Sequence, residues 1–340
     1  MKPHLHQFVN RESGRVETET FLADNWISFL YGKIHTSAPL LLRALTSTYC
    51  SQVLAGWHYD LPSPIKGEDL FRKLGIDWKE CLEPPESFNN LRNVFERRIR
   101  YWETRPMDSD VSVIASPADA KMLIGSFADI STIYIKESLF NLSELLGTDS
   151  KWILPFTYCD YAVFRLTPEK YHYNHVPVTG QISDMYTVDG QFHSCNPLAT
   201  LTIPSIYSKN RRIVTIMDTN IPGGSQIGCV AMIEIVALMI GEIKQSYCHS
   251  KYSMPESVHP GMIITKGCPK SLFRPGSSTV VLLFEPGRIT FSADLVRNSL
   301  RHDVISRFSD YYGRPCVETE VRVRSSIARK NYESFNSITV

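Results

Sequence analysis

A serine before an apolar run is the first residue in this sequence that suggests covalent chemistry. In LFRPGSSTVVLLFEPG, Pro275, Gly276 and two serines precede the run Thr279–Phe284, whose composition predicts a buried β-strand. A glycine at this point allows backbone conformations that other residues rarely adopt. Ser278 is therefore either part of an ordinary turn or a nucleophile placed at the start of a strand.

A serine hydroxyl becomes a nucleophile only beside a base, and this chain offers two histidines and an acid for that purpose. His172 and His175 are three residues apart in TPEKYHYNHVPVTG, a spacing that suits either a metal site or an acid–base pair. Asp119, in SPADA, is a candidate orienting acid, although an acid after Ser-Pro-Ala is more often a turn or cap residue.

Two familiar site types are disfavoured by the same residues. Asp119, His175 and Ser278 would suit a serine hydrolase, yet the chain lacks a GxSxG turn and Ser278 opens a strand. A zinc site would need a third ligand near the histidine pair, and the chain has no HExxH motif. The sequence therefore predicts no metal.

The first elements that must position these residues are helical. Residues 20–60 are predicted to form helices, because an apolar stripe of Trp26, Phe29 and Leu30 follows helical spacing and ends at Lys33. This stripe either packs on the core or touches a bilayer. A basic helix is predicted around residues 92–100, with its arginines either in solvent or on an anion.

The rest of the chain is predicted to be rich in β-strands. From Val111 to about Phe291, short apolar runs alternate with Gly, Pro, Asn and Asp turns, and a helix and a last strand follow. The fold class is α+β, with N-terminal helices followed by a β-rich core that is barrel- or sandwich-like and contains Ser278. We predict a helical region at 1–105, one that could associate with a membrane, and a β-rich catalytic domain at 106–340.

The composition is that of an ordinary globular protein, and it limits the classes of partner that we expect. Of 340 residues, 43% are hydrophobic and 21% charged, and the formal net charge is +1, so nucleic acid is not expected as a partner. The longest apolar run, Ile227–Ile243, contains Glu234 and is interpreted as buried strands rather than a membrane span. We see no secretory signal, and eight cysteines without a CxxC pair favour a cytoplasmic location, peripheral on a membrane if the helical region binds one.

Four segments in order resemble the phosphatidylserine decarboxylase family, whose members process themselves into pyruvoyl enzymes. They are RRIRYWETRPMDSDVSVIASPADA, YHYNHVPVTG, GQFHSCNPLATLTIPSIYSKNRRIVTIMDT and FRPGSSTVVLLFEPG. The second is similar to the family's Tyr-His-x-x-His-x-Pro-x-x-Gly, and the third carries Asn210 and Arg212 of its Asn-x-Arg. The last is similar to its Gly-Gly-Ser-Thr processing site. Each motif alone is weak, but together they cover roughly residues 20–325 and are specific.

The resemblance implies a role for each candidate residue. Asp119 falls on the family's acid, His175 on the base for self-processing, and His172 on the histidine linked to decarboxylation. Ser278 falls on the serine that becomes the pyruvoyl group, a covalent cofactor, and no metal or external cofactor is needed. The hard chemistry then belongs to that group, which binds the substrate amine and accepts the electrons left when carbon dioxide departs.

Self-cleavage is expected between Ser277 and Ser278, giving chains 1–277 and 278–340. In the implied reaction the Ser278 oxygen attacks the carbonyl of residue 277, and the peptide rearranges to an ester. Elimination then cuts the chain, and hydrolysis leaves the pyruvoyl terminus and releases ammonia. A Pro-Gly-Ser stretch of low bulk suits a step that needs close approach of the reacting atoms.

Departures from the family's pattern keep alternatives open. Ala120 and Ser277 replace glycines, Tyr173 replaces a common arginine, and KGCPKSLF lacks the usual acid and glycine; a cut at Gly276–Ser277 is one alternative. The leading hypothesis is decarboxylation of phosphatidylserine to phosphatidylethanolamine at a membrane surface. The alternatives are a soluble decarboxylase of a free amino acid and an unprocessed, non-enzymatic paralogue. The expected partner is thus a phospholipid or a small amine-bearing substrate, and a homodimer is one option for the assembly.

Overall fold

The computed structural model describes residues 5–21, 27, 29–128, 139–238, 242–276 and 278–332. Ser277, on one side of the expected cut, and Trp26 of the apolar stripe lie outside the described residues, and the side chain of Lys33 is not described. Within these ranges, sheets are covered by short helices, which confirms the α+β class.

The helices are short because local signals start and stop them. Pro39 occupies the first turn of one helix, Ser47 caps the next by accepting from the Cys50 N–H, and Gly75 ends a third in a left-handed conformation, φ +69°. A π-helical turn at Phe29–Ile34 leads into the first helix. The helices are α1 His35–Ser37, α2 Pro39–Leu45, α3 Thr48–Tyr59, α4 Gly67–Leu74, α5 Leu91–Phe95, α6 Tyr101–Thr104, α7 Leu142–Leu146, α8 Pro197–Thr202, α9 Ile206–Lys209, α10 Ala293–Ser299 and α11 Arg307–Tyr312.

The strands form one large sheet and two small ones. They are β1 Gln7–Asn10, β2 Val16–Thr18, β3 Val113–Ala115, β4 Ala120–Ser126, β5 Asp160–Leu166, β6 Tyr173–His175, β7 Gly180–Val188, β8 Arg212–Asp218, β9 Cys229–Val236, β10 Ile243–Gln245, β11 Ile263–Ile264, β12 Pro269–Phe273, β13 Ser278–Phe284, β14 Ile289–Phe291, β15 Thr319–Val321 and β16 Ser326–Lys330. The ten-stranded sheet has the order β11-β7-β8-β9-β13-β5-β4-β15-β1-β2, and the small sheets are β10-β12-β6 and β14-β16-β3.

Strand β13 lies in the interior of the large sheet and separates two hydrophobic layers. Val280 and Leu282 pack in the layer that contains Phe273 of the small β10-β12-β6 sheet, whereas Val281 and Leu283 pack in the layer beneath the helices. Because side chains alternate along a strand, Ser278 points the same way as Val280, toward the small sheet. The fold thus places the candidate nucleophile between the large sheet and β6, which carries His175.

Three expectations about the elements need correction. The large sheet has an open strand order and does not close into a barrel in the described part of the chain. Residues 7–18, predicted within the helical region, form strands β1 and β2, and β1 pairs with β15 near the other end of the chain. The predicted basic helix is two short helices, α5 and α6, with an irregular segment between them. The division at 105/106 stays a prediction.

The basic segment is also less solvated than predicted. Arg97 is buried and donates to the carbonyls of Val94 and Glu169, and Arg98 pairs with Glu83. These arginines are thus already engaged within the protein. Across the described ranges, no helix combines the length and the apolar character that crossing a bilayer requires.

Candidate active site

Ser278 is the first residue of β13 and is fully buried. It lies opposite Leu166 of β5 and Val236 of β9. Its Oγ has no hydrogen-bond partner among the described residues, which is unusual for a buried hydroxyl. Two residues earlier, Gly276 has φ +142°, a region that only glycine adopts easily. A buried hydroxyl without a partner, two residues after a glycine in this conformation, suits a serine that reacts with the neighbouring backbone.

His172 follows β5 and is linked by its main chain to the strand that precedes Ser278. Its carbonyl accepts from the Phe273 N–H at 3.1 Å, and its buried ring stacks on Phe95 with centroids 3.5 Å apart. Neither ring nitrogen has a partner of good geometry in the described part of the chain. Burial, and secondly the charge of Arg97, lowers the pKa of His172 well below its usual value, so the ring is neutral.

His175 lies on β6 with both ring nitrogens engaged. Nδ1 is 2.9 Å from the Gly267 carbonyl oxygen, and Nε2 is 3.0 Å from the Tyr171 hydroxyl. Because a carbonyl can only accept, Nδ1 carries the hydrogen, and the lone pair of the neutral ring is on Nε2. Burial lowers the pKa of His175 to about 3, so the ring is neutral at ordinary pH.

A glycine is required where His175 is held. Gly267 has φ +78°, and a Cβ at this position would collide with the sulfur of Met107. The Gly267 N–H also donates to the Val176 carbonyl at 2.8 Å, which ties this turn to the residue after His175. The turn therefore fixes the ring's orientation through main-chain atoms.

Asp119 lies in the segment next to His175, but its carboxylate is bound elsewhere. The His175 N–H donates to the Pro117 carbonyl at 2.7 Å, which brings the two segments together. Asp119 Oδ2 accepts from Nη2 of Arg105 at 2.8 Å, and Oδ1 accepts from the Val323 N–H at 2.7 Å. Burial opposes ionisation, but the Arg105 guanidinium holds the pKa of Asp119 below its usual value. The expected direct orientation of His175 by Asp119 is therefore not the arrangement in this structure.

A buried polar network on the Ser278 face of the large sheet was missed by sequence reasoning. Lys270 Nζ is 2.6 Å from Glu234 Oε2 and 2.9 Å from Gln245 Oε1. Asn174 donates to Glu234 Oε1 at 3.1 Å and to the Ser271 hydroxyl at 3.0 Å, and Ser271 donates to Glu234. The available signal was a glutamate in the middle of an apolar run, which must find a cation or donors when buried.

A second buried network lies on the opposite face, beneath the helices. Arg165, opposite Thr279, pairs with Glu19 and Glu318 at 2.6 Å each. His6 and these two glutamates bring ligand atoms within 4.8 Å of one another, a grouping that could hold a metal. Arg165 binds both carboxylates, and Lys121 Nζ lies 3.4 Å from Glu19 Oε1, so the cluster is better explained as structural ion pairing.

Comparison with known proteins places this arrangement in one family. The family model described as phosphatidylserine decarboxylase matches residues 91–305. The phosphatidylserine decarboxylase proenzyme of Chlamydia trachomatis is 31% identical over 295 residues, covering 85% of this chain and 90% of the relative. The proenzyme of Fusobacterium nucleatum is 27% identical, covering 86% and 92%, and that of Bordetella avium is 30% identical, covering 68% and 79%.

This match defines the class of protein: it is an enzyme of the carboxy-lyase type. More particularly, the chain belongs to the phosphatidylserine decarboxylase family. The resemblance drawn from the four sequence segments is thereby confirmed, while the roles of individual residues stay predictions.

Proposed function

We propose that this protein decarboxylates phosphatidylserine to phosphatidylethanolamine and carbon dioxide, after cleaving itself between Ser277 and Ser278. The observation that carries the proposal is the Ser278 hydroxyl, which is buried and unpartnered among the described residues at the start of an interior strand. A residue that merely filled this position would be expected to bond its hydroxyl or to be apolar.

Self-processing requires a base, and His175 is our candidate because its ring is neutral at working pH. In the proposed step the Ser278 hydroxyl proton is taken up by the base, the oxygen attacks the carbonyl carbon of residue 277, and the amide nitrogen leaves as an amine. Loss of the Cα proton of residue 278 then expels the residue 277 carboxylate and breaks the chain. Water replaces the nitrogen, which leaves as ammonia, and the product is the pyruvoyl terminus.

The hydrogen bond between Tyr171 and Nε2 of His175 bears on this step. Nε2 is the only ring nitrogen with a lone pair, and the Tyr171 hydroxyl already lies on it at 3.0 Å. His175 can therefore accept a proton at Nε2 only if the Tyr171 hydroxyl stops donating to that nitrogen, either by turning its hydrogen toward another acceptor or by moving away. Asp119 would act on His175 indirectly. It binds Arg105, and this ion pair holds in place the segment in which the Pro117 carbonyl accepts from the His175 N–H.

The residues around Ser278 suit a pyruvoyl group derived from it. The position is buried, and it is rigid because β13 pairs with β5 and β9 along its whole length. A pyruvoyl group there supplies a carbonyl that binds the substrate amine and accepts electrons as carbon dioxide leaves. His172 is the candidate proton donor to the substrate carbon, because both of its ring nitrogens are unpartnered among the described residues and stacking on Phe95 holds its plane.

The membrane partner in this proposal is served by the N-terminal helices. Helices α2 and α3 expose large apolar side chains that a water-facing helix would avoid, which we call the helical apolar surface: Leu40, Leu41, Tyr49, Val53 and Trp57. Leu40 is 80% exposed and Trp57 is 71% exposed. Such a surface suits insertion into the interfacial zone of a bilayer, so a peripheral position on the cytoplasmic side is part of the proposal. A homodimer stays a prediction.

The intact mass of freshly purified protein tests the proposal. We expect two chains split at 277/278, the small one with a pyruvoyl terminus that borohydride reduces, and turnover of phosphatidylserine in vesicles. Ser278→Ala should give a single chain, His175→Ala a chain whose cleavage stalls, and His172→Ala a cut chain with low turnover. His302→Ala, an exposed histidine, is the matched control and should behave as wild type.

Two outcomes would contradict this proposal at different points. A wild-type chain that stays uncut after prolonged incubation with vesicles would contradict self-processing and favour an unprocessed paralogue. A cut protein that ignores phosphatidylserine vesicles but decarboxylates free amino acids would retain the chemistry and overturn the substrate.

A further inference from the structure

Two tyrosines connect His175 to the main chain of a distant segment. The Tyr171 hydroxyl is 3.0 Å from His175 Nε2 and 2.8 Å from the Tyr252 hydroxyl. The Tyr252 hydroxyl is in turn 3.0 Å from the Ile99 nitrogen and 2.9 Å from the Ile99 oxygen. Tyr171 is fully buried, whereas Tyr252 is partly exposed. A line of hydrogen bonds thus runs from the candidate base to the edge of the protein.

In the neutral state of His175, all these bonds can point toward the ring. Nδ1 donates to the Gly267 carbonyl, so Nε2 must accept, and Tyr171 donates to it. The Tyr171 oxygen then accepts from the Tyr252 hydroxyl, whose oxygen accepts from the Ile99 N–H. Every hydroxyl in the line has both a donor and an acceptor role filled.

In the protonated state, the two bonds that join His175, Tyr171 and Tyr252 can reverse, while the Ile99 N–H stays a donor to Tyr252. Nε2–H then donates to the Tyr171 oxygen, Tyr171 donates to the Tyr252 oxygen, and Tyr252 donates to the Ile99 carbonyl. The main chain of Ile99 is what makes this reversal complete, because it offers Tyr252 a donor in both states and an acceptor in the protonated one.

We propose that Tyr171 and Tyr252 are positioning residues that let His175 gain and release a proton at Nε2 by reversing this line of hydrogen bonds. The inference rests on the proposed function, because it assumes that His175 acts as the base in self-processing. The two tyrosines act through His175 and are not assigned any contact with substrate.

The charges around His175 show why such a line is needed. Burial opposes the protonated ring, and Arg324 and Arg105 repel it. The Gly267 carbonyl that accepts from Nδ1 and the charge of Asp119 favour it. The Tyr101 ring packs nearly perpendicular to the His175 ring, with centroids 4.7 Å apart, and adds no charge. Hydrogen bonds to a charged group are stronger than those to a neutral one, so the Tyr171 oxygen contributes most when the ring is protonated.

Phenylalanine substitutions separate this role from packing. Tyr171→Phe and Tyr252→Phe remove one hydroxyl each and keep the rings, while Tyr173→Phe is the matched control, since Tyr173 stacks in the same cluster with its centroid 5.5 Å from that of Tyr171. Precursor made by cell-free translation would be followed by gel as it cleaves. We expect Tyr171→Phe to slow cleavage roughly tenfold to hundredfold, the factor for one hydrogen bond to a charged group. Tyr252→Phe should have a smaller effect, and Tyr173→Phe almost none.

A spectroscopic measurement shows whether the line of hydrogen bonds acts on Nε2 of His175 or only holds the two tyrosines in place. In protein labelled with nitrogen-15 histidine, in the uncut Ser278→Ala background, His175 should appear as the Nδ1–H tautomer. Its Nε2 resonance should shift in Tyr171→Phe, where the donor is lost, and to a lesser degree in Tyr252→Phe, but not in Tyr173→Phe. Because Tyr252 is partly exposed, Tyr252→Phe keeps the test open even if Tyr171→Phe folds poorly.

The outcomes separate this inference from the proposed function. If wild type never cleaves, the proposed function fails. Wild type could instead cleave while Tyr171→Phe and Tyr252→Phe match it in cleavage rate and in the Nε2 resonance. That result would overturn the role proposed for the line of hydrogen bonds and leave the proposed function standing.

Discussion

Nη2 of Arg105 lies 2.8 Å from Oδ2 of Asp119, so the acid that the sequence assigns to His175 is held by a guanidinium. Arg105 also donates to both carboxylate oxygens of Glu80, at 2.8 and 2.9 Å. Arg105 therefore joins helix α6 to the SPADA turn, and the charge of Asp119 is balanced before His175 is considered.

The first prediction concerns this buried pair. Among the described residues, Arg105→Met should leave the Val323 N–H as the remaining hydrogen-bond partner of the Asp119 carboxylate. A buried charge without its ion-pair partner costs roughly 3–5 kcal/mol. The variant should melt at a lower temperature in the uncut Ser278→Ala background, and in the native background it should cleave more slowly. Arg301→Met is the control, because its partner Asp303 is an exposed acid, and it should change neither quantity measurably. Equal effects of the two variants would contradict the role given to the buried pair.

The second prediction concerns acid stability and the ion pairs of Arg165. Burial opposes ionisation of Glu19 and Glu318, but Arg165 overrides it and holds both pKa values below the usual range. A carboxyl with a lowered folded pKa stabilises the fold above its unfolded pKa of about 4.3, and that contribution is lost as the pH falls through the folded pKa. We therefore expect stability to fall steeply below about pH 4.3.

Glu318→Gln tests this sign. The variant should be less stable than wild type at pH 7, and its melting temperature should fall less between pH 5 and pH 3, because one depressed carboxyl has been removed. Glu86→Gln, an exposed acid, should follow the wild-type curve. A Glu318→Gln curve parallel to that of wild type would show that this cluster does not govern acid unfolding.

The local pattern near Ser278 could be predicted, because it depends on neighbours in sequence. The apolar run from Thr279 to Phe284 and the preceding glycine indicate a strand that begins at a turn, and β13 begins at Ser278. The serine and both histidines could likewise be named from motif order, and the structure buries all three. A motif cannot show which hydrogen-bond partner each polar side-chain atom has in the folded protein.

The missed features all join residues that are far apart in the chain. Tyr252 is 81 residues from Tyr171, and Lys270 is 36 residues from Glu234. Periodicity reports which face of an element is buried, but not which distant polar group lies opposite. Strand β1 escaped prediction for the same reason, since its partner β15 is near the other end of the chain.

The third prediction concerns the buried pair of Lys270 and Glu234. Although burial opposes ionisation, Lys270 holds the pKa of Glu234 below its usual value, so Lys270→Met would strand a buried carboxylate. We expect this variant to lose roughly 3–5 kcal/mol of unfolding free energy, measured by urea denaturation in the Ser278→Ala background. The double variant Glu234→Leu with Lys270→Met should recover most of that loss, because no uncompensated charge remains. Additive losses in the double variant would show that the two residues are not coupled.

The fourth prediction concerns the helical apolar surface and separates binding from chemistry. Leu40→Glu combined with Trp57→Glu places two charges where apolar side chains would enter the interface, so binding to vesicles that contain phosphatidylserine should fall roughly tenfold or more. Turnover on vesicles should fall in proportion, whereas turnover of short-chain phosphatidylserine dispersed in detergent should be unchanged, since Ser278 and both histidines are untouched. Leu300→Glu is the control: this leucine is 59% exposed at the end of α10, and its change should alter neither assay. Sedimentation with vesicles and release of carbon dioxide measure the two quantities independently.

Two outcomes would contradict the prediction. If the double variant binds vesicles as wild type does, a different surface contacts the membrane. If the double variant also loses turnover of dispersed substrate, these helices affect the active site itself, and binding is not separable from chemistry.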